Sequence, residues 1–334
     1  MSLGIIQYGL GPIGAGVVRY VAERKNLELV GVIDIAADKV GRDVGEMLGL
    51  PTMQGIIVTD KPDELFRQVK ADCVIHTTAS YLEQVFSQLE PIIKAGINIV
   101  SSTEELSFPW YHHPGLAEKI DHLAQEHGVT VLATGVNPGF LMDTWPLFMT
   151  GVCQQVEKIK AVRIQNASPR RGSFQRKIGA GHTLKEFDKL VASGALRHVG
   201  LAESIAMIAS GLGWELDGIQ ESIEPIVTKS CVKTDFVTVE PGQASGVKQI
   251  GRGFRAGKEL ITLEFEASVD AVESSDAVYI TGTPNTEVII KGGTHGDIAT
   301  IAMIVNSVHR VVDAPAGLVT MKDLPVVCAL GVNV

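Results

Sequence analysis

Short apolar runs alternate with amphipathic stretches through the first 135 residues of the chain. "LGIIQY" (Leu3–Tyr8) is the first run, "LELVGVID" (27–34) the second and "ADCVIHTTAS" (71–80) the third. "INIVSST" (97–103) and "VTVLAT" (129–134) follow. Between them, "AGVVRYVAERKN" spaces Val17, Val18 and Val21 as a helix does. "YLEQVFSQLEPIIKAG" (81–96) puts Leu82, Val85, Phe86, Leu89, Ile92 and Ile93 on one helical face and stops at Gly96. "PGLAEKIDHLAQEHG" repeats that pattern with its own glycine stop. Strands that are apolar throughout, rather than alternating, are buried on both faces. The first half therefore reads as a parallel sheet covered by helices on both sides.

After "ATGVNPGF" (133–140) the pattern changes. Residues 157–167 read as a strand, and Thr183 with Glu186 forms a capping box that opens a helix. "GLAESIAMIASGLG" is a second helix. From about 218 to 291, alternating strand-like runs are broken by turns such as "TPNT", which predicts a mixed or antiparallel sheet with helices on one face. "HGDIATIAMIVNSVHRVV" (295–312) is a helix, and "PVVCAL" is expected as a short closing strand. The expected plan is an α/β domain over 1–135, a second α+β domain over 136–300, and a segment 301–334 returning to the first.

Bulk properties narrow the function classes. A length of 334 residues accommodates about two domains. The formal charge of −9, with no Lys/Arg-rich run, argues against nucleic-acid or anionic-membrane partners. Cys73, Cys153, Cys231 and Cys328 are scattered without a CxxC pair, so neither a zinc site nor a disulfide framework is expected, and no HExxH-type metal site occurs. No leader-like segment or membrane-length apolar run is present, and a reduced, cytoplasmic setting is the expectation.

The candidate chemistry begins at the turn after the first strand. Gly9, Gly11 and Gly14 form GxGxxG, with Pro12 and Ile13 opening the following helix. In a strand–turn–helix context this is a doubly wound, Rossmann-type dinucleotide turn, which sets a pyrophosphate on the helix N-terminus. Asp34 ends the second strand 20 residues after Gly14, where a carboxylate takes the adenosine-ribose hydroxyls. Asp34 favours NAD because it repels a 2′-phosphate, while the nearby Lys39 and Arg42 keep NADP open. Ligands bind beyond the carboxyl ends of such strands. That rule selects the loops 9–14, 34–38, 77–81, 101–115 and 134–143, and brings in Thr77, Thr78, Ala79 and Asn137 as further cofactor candidates.

"SSTEELSFPWYHHPG" (101–115) lies in that set. Adjacent glutamates after a strand also serve as caps or solvated turns, so position alone does not make Glu104 or Glu105 catalytic. "KIGAGHTLKEF", "HVGLAESIAMIASGLGW", "GGTHGDIATIAMIVNSV" and "APAGLVTMKDLP" resemble the 2,4-diaminopentanoate dehydrogenases. That family is related to native NAD(P)-dependent amine dehydrogenases and, more distantly, to dihydrodipicolinate reductases. The resemblance spans nearly the whole chain. It implies reversible oxidative deamination of an amine to a ketone and ammonia, a homodimer or higher homo-oligomer, and a glutamate acid/base on the loop matching "STEEL". Glu104 is the first choice and Glu105 the second.

Substrate candidates are less sharply marked. Phe140 and Met142 either line a pocket or fill a domain interface. Arg170 and Arg171 ("SPRRGS") suit a substrate carboxylate but also read as an exposed, solvated pair. His182 and His295 stand at helix starts, Asp297 reads as the cap of the last long helix, and His112 and His113 as surface residues at the start of another. Pro109 and Trp110 fix the loop or wall a pocket. Three alternatives stand beside this reading. A dihydrodipicolinate reductase-type enzyme lacks its expected later PSGT loop here, and the His-His pair falls in the first domain. A semialdehyde dehydrogenase needs a cysteine in a suitable turn, and none is so placed. A catalytically silent NAD(P) sensor is the non-enzyme reading.

Overall fold

The computed structural model describes residues 2–329. The strands, in chain order, are β1 (Leu3–Tyr8), β2 (Leu27–Ile33), β3 (Val58–Thr59), β4 (Cys73–His76), β5 (Asn98–Ser101) and β6 (Thr130–Ala133). They continue with β7 (Gln155–Asn166), β8 (Gly218–Val227), β9 (Val232–Lys233), β10 (Thr238–Val239) and β11 (Ala244–Arg255). The last are β12 (Lys258–Ser268), β13 (Ser275–Thr283), β14 (Thr286–Lys291) and β15 (Gly317–Val319). The helices are α1 (Pro12–Ala22), α2 (Val44–Leu48), α3 (Pro62–Gln68), α4 (Leu82–Lys94), α5 (Pro114–Glu126) and α6 (Thr144–Met149). Then come α7 (Gly172–Lys177), α8 (Leu184–Ala192), α9 (Leu201–Gly211) and α10 (Gly296–Val312).

The chain divides into two units. The first holds Met1–Phe140 and His295–Val334, the second Leu141–Thr294. The breaks lie a few residues from the positions expected at 135 and 300, because the loop after β6 and all of α10 stay with the first unit.

The first unit is built on a seven-stranded, all-parallel sheet in the order β15-β6-β5-β4-β1-β2-β3. β1, β4, β5 and β6 are buried almost throughout. Helices cover both faces: α1 and α10 pack together on one, α4 and α5 on the other. The α4 face buries Leu82, Val85, Leu89, Ile92 and Ile93 against Ile6, Val74 and Ile99. Each such side chain, fully withdrawn from water, contributes roughly 1.5–3 kcal/mol. The seventh strand is β15, paired with β6, rather than "PVVCAL". Residues 325–329 of that segment form no strand, and Leu330 lies outside the described residues. Apolarity without a hydrogen-bonded neighbouring strand does not make a strand.

The second unit carries a six-stranded mixed sheet, β14-β13-β7-β12-β11-β8, antiparallel except for the β7–β12 pair. A two-stranded ribbon, β9–β10, stands apart. α9 packs across β8, β11 and β12. The Thr183–Glu186 capping box is formed at the start of α8. α7, which follows "SPRR", has no counterpart in the sequence reading; its six residues are too few to show a helical period. Among the described residues, no helix is long and apolar enough to cross a membrane.

Candidate active site

The first unit gathers its polar chemistry at the carboxyl ends of its strands. The β1–α1 turn is built from glycines with different tasks. Gly9 has φ +91°, and a Cβ there would sit 2.6 Å from the Thr77 carbonyl oxygen. A Cβ on Gly14 would come within 1.9 Å of the Gly9 oxygen, so this glycine lets α1 close onto the turn. Gly11 is different, since no heavy atom lies within 4 Å of where its Cβ would be. Packing within the protein does not demand glycine at that place. The space keeps the N-terminus of α1 open, with first-turn N–H groups that have no intrahelical acceptor. Pro12, exposed at the first helical position, has no N–H to offer, and Ile13 is half-buried beside it.

Asp34 closes this cradle from β2. Its Oδ2 accepts from Leu10 N (2.7 Å) and Lys39 Nζ (3.0 Å), and its Oδ1 from Ala36 N (2.8 Å). Burial alone would raise its pKa, but the two backbone N–H groups and the Lys39 ammonium outweigh that and hold the carboxyl below its ordinary value. Ile35, next along, is 82% exposed, an apolar side chain open to solvent beside the carboxylate.

Thr77 and Thr78 serve the scaffold. Thr77 Oγ1 donates to the Gly9 carbonyl (3.0 Å) and accepts from the buried Gln7 amide (2.8 Å), which ties the glycine turn to β4. Thr78 Oγ1 donates to Gln88 (2.7 Å) and hydrogen-bonds the His76 ring (3.0 Å). The Ala79 carbonyl accepts from Thr103 Oγ1 (2.9 Å). These contacts turn the three residues of the 77–79 loop into supports for the chain segments on either side.

His76 is the residue the sequence reading missed. It ends an apolar strand and is fully buried. Its ring hydrogen-bonds Gln88 (2.8 Å) through Nε2 and Ser101 Oγ (3.0 Å) through Nδ1. Ser101 in turn bonds Thr103, through both its Oγ1 (3.0 Å) and its N–H (3.1 Å). Burial pushes His76 down to about 4, so the ring is neutral at physiological pH. A polar residue closing a run as apolar as "CVIH" was the available signal.

That network fixes the start of the Glu104–Ser107 3₁₀ turn, for which Thr103 is the N-cap. The two glutamates of this turn part company. Glu105 Oε2 accepts from Leu82 N (2.8 Å), the first helical N–H of α4, and from His113 Nε2 (3.0 Å). Glu105 therefore caps one helix and steadies the N-cap residue of the next. His113 is accordingly half-buried and structural, not a surface residue; His112 is exposed, as expected. Successive side chains of a 3₁₀ turn point about 120° apart. Glu104, the first residue of the same turn, is half-buried. Trp110 packs on the core cluster and against Phe108 (5.4 Å between rings), so it anchors the loop.

The loop after β6 lies beside this turn in strand order, since β6 is the neighbour of β5. Asn137 precedes a cis proline and is half-buried, as is Phe140. Val136 N donates to Thr300 Oγ1 (3.3 Å), which brings the first turns of α10 to this loop. The cap of α10 is His295, whose Nδ1 accepts from Ile298 N (3.4 Å); Asp297 sits inside the first turn instead.

The remaining candidates belong to the second unit. Met142 is buried. Arg170 is 7% exposed with its guanidinium 4.5 Å over the Phe174 ring, so half of the expected solvated pair is buried; Arg171 is exposed. The Arg170 loop is held by Gln175, whose amide donates to the carbonyls of Ala167, Ser168 and Arg170. His182 is half-buried, with Nδ1 3.9 Å from Glu186.

Comparison with known proteins matches this geometry to a family. The family model described as 2,4-diaminopentanoate dehydrogenase C-terminal domain matches residues 140–334, and that of dihydrodipicolinate reductase, N-terminus, matches 3–132. The chain is 35% identical to a 2,4-diaminopentanoate dehydrogenase of Acetoanaerobium sticklandii, over 96% of this chain and 93% of that one. It is 22% identical to an amine dehydrogenase of Streptomyces virginiae, over 98% of both. The solved amine dehydrogenase of Mycobacterium smegmatis shares the fold, with TM-score 0.86 at 23% identity, over 99% of this chain and 98% of that one. The chain belongs to the 2,4-diaminopentanoate dehydrogenase family, and it is an oxidoreductase.

Proposed function

We propose that this enzyme catalyses the NAD(P)-dependent, reversible oxidative deamination of a small amine or diamino acid resembling 2,4-diaminopentanoate. The observation that carries the reading is the division of labour at Glu104 and Glu105. Glu105 is held as a helix cap, and Glu104 stands beside it as the first residue of a turn braced by the buried His76–Ser101–Thr103 chain. The glycine turn, the open N-terminus of α1, Asp34 and the exposed Ile35 suit the pyrophosphate, ribose and adenine of a dinucleotide. When bound, the nicotinamide supplies the hydride acceptor.

The chain's own residues handle charge and protons. Glu104 attracts the substrate ammonium and takes a proton from it, because an alkylammonium cannot release hydride until it is neutral. Once that proton has passed to solvent, the regenerated carboxylate stabilises the substrate iminium and takes a proton from the water that attacks it. In reverse it protonates the departing hydroxyl of the carbinolamine. Phe140 and His295 of the first unit and Met142, Arg170 and His182 of the second are the substrate-side candidates, with Arg170 suited to a carboxylate because it is a buried guanidinium, and Asn137 is a cofactor candidate.

The test combines protein, NADH or NADPH, ammonia and a panel of ketones that includes 2-amino-4-oxopentanoate. Ammonia-dependent oxidation of the nucleotide is expected. Ammonia-independent oxidation with a dihydrodipicolinate precursor favours the imine-reductase reading, and no turnover with any substrate favours the sensor.

A further inference from the structure

A carboxylate at the end of β2 ordinarily excludes nucleotides that carry a 2′-phosphate, by charge repulsion at the ribose. In this chain that carboxylate is not bare. Lys39 Nζ lies 3.0 Å from Asp34 Oδ2 and 3.0 Å from the Leu10 carbonyl oxygen. Leu10 N donates to the same Oδ2, so ammonium, carboxylate and glycine turn form a closed triangle. An ammonium has three N–H donors. Two are spent in the triangle, and the third remains for a ligand.

The lysine is preset by its loop. Ala36 N bonds Asp34 Oδ1 at one end, and Lys39 N bonds the Ala36 carbonyl (2.9 Å). At the other end Gly41 N donates to Val58 O and Val58 N to Arg42 O (2.9 Å each), which moors the loop to β3. Arg42, exposed, donates to the Asp38 carbonyl (3.2 Å) on this same loop and adds a second positive charge. The Lys39 and Asp34 side chains are 24% and 10% exposed, so the pair is accessible to a ligand but only partly screened by water.

We propose that Lys39 is the residue that admits the 2′-phosphate of NADP, by neutralising Asp34 and donating its third N–H to the phosphate, so that the site accepts both dinucleotides. The proposal rests on the reading of this turn as a dinucleotide site, and it concerns binding alone. With a 2′-hydroxyl, Asp34 serves as acceptor. With a 2′-phosphate, Lys39 stays on Asp34 and faces the added charge, with Arg42 assisting.

The test is a titration of NADH and NADPH, without amine or ketone, followed by energy transfer from protein tryptophan to the reduced nicotinamide. Wild-type affinities for the two nucleotides are expected within about tenfold of each other. Lys39→Met is expected to weaken NADPH by about tenfold or more while changing NADH by less than about threefold, the loss growing smaller at high salt. Lys39→Arg is expected to restore NADPH binding, and its melting temperature with that of Lys39→Met guards against misfolding. An unchanged NADPH/NADH ratio in Lys39→Met overturns the role of Lys39 and leaves the dinucleotide site standing. Binding of neither nucleotide by the wild type overturns both.

Discussion

The two large sheets of this protein keep their polar groups in opposite places. In the parallel sheet of the first unit, the strands are apolar over most of their length, and Gln7, Asp34, His76, Ser101 and Thr103 gather toward the carboxyl ends. In the mixed sheet of the second unit, polarity runs through the middle. Arg163 and Asp276, cross-strand partners 97% and 99% withdrawn from solvent, form an ion pair at 2.8 Å on β7 and β13. The same pair holds Thr294 by both its backbone groups, just before the chain re-enters the first unit. Elsewhere in this sheet, Lys158–Glu259 and Lys160–Glu264 bridge β7 to β12, and Lys248–Glu266 bridges β11 to β12. A sheet buried on both faces has only its ends for chemistry, so its reactive groups can change without harm to the core. A sheet with charges at its centre cannot separate the two.

That contrast is open to attack, most strongly at the strand ends. Glu104→Gln is expected to cut kcat by about 10²–10⁴-fold, the usual worth of a general base, while nucleotide binding and melting temperature stay near wild type. Glu105→Gln is expected to do the reverse, lowering the melting temperature through the lost α4 cap with a smaller effect on kcat. Steady-state kinetics and thermal melts of both variants decide it, and exchanged phenotypes would place the acid/base at Glu105.

In the second sheet, Asp276→Asn should strand the Arg163 guanidinium and cost about 3–5 kcal/mol in denaturant unfolding. A loss under about 1 kcal/mol would show that the central charges there are not structural.

Acid supplies the third comparison. Folded His76 titrates at about 4 against an ordinary value near 6.5, because burial disfavours the charged ring. The unfolded chain therefore takes up this proton first as pH falls. The stability contributed by the neutral ring is complete above about pH 6.5 and is lost between about 6.5 and 4, by about 3 kcal/mol in all. Unfolding measured across that window should show a slope that His76→Gln flattens. The smallest effect belongs to the Lys/Glu bridges: Glu264→Gln should change stability by less than about 1 kcal/mol, falling further with added salt.

Five strands of the first unit, β1, β2, β4, β5 and β6, were readable because each lies in a largely apolar run, and the glycine turn because its spacing is local, whereas the two-residue β3 left no such trace. β15 was misplaced to "PVVCAL" because pairing with β6, not apolarity, makes a strand of Gly317–Val319. α7 left no periodic trace in six residues. The cap of α10 was assigned to Asp297, the commoner capping type, and falls to His295. Arg170 and Arg171, adjacent and alike in sequence, differ in burial because the turn held by Gln175 sends them to different surroundings.

The sequence by itself determined the parallel sheet, the cradle of Gly9, Gly11, Gly14 and Asp34, and the loop that bears the two glutamates. Each is written in neighbouring residues, through side-chain period or backbone freedom. Only the tertiary structure decided what adjacent residues of one type do. Glu105 is drawn to Leu82 N, which is 23 positions away. Arg163 meets Asp276 across 113 positions, and His76 meets Ser101 across 25. Such pairings depend on which strands lie side by side, and a buried polar group must find its partner there because water is excluded.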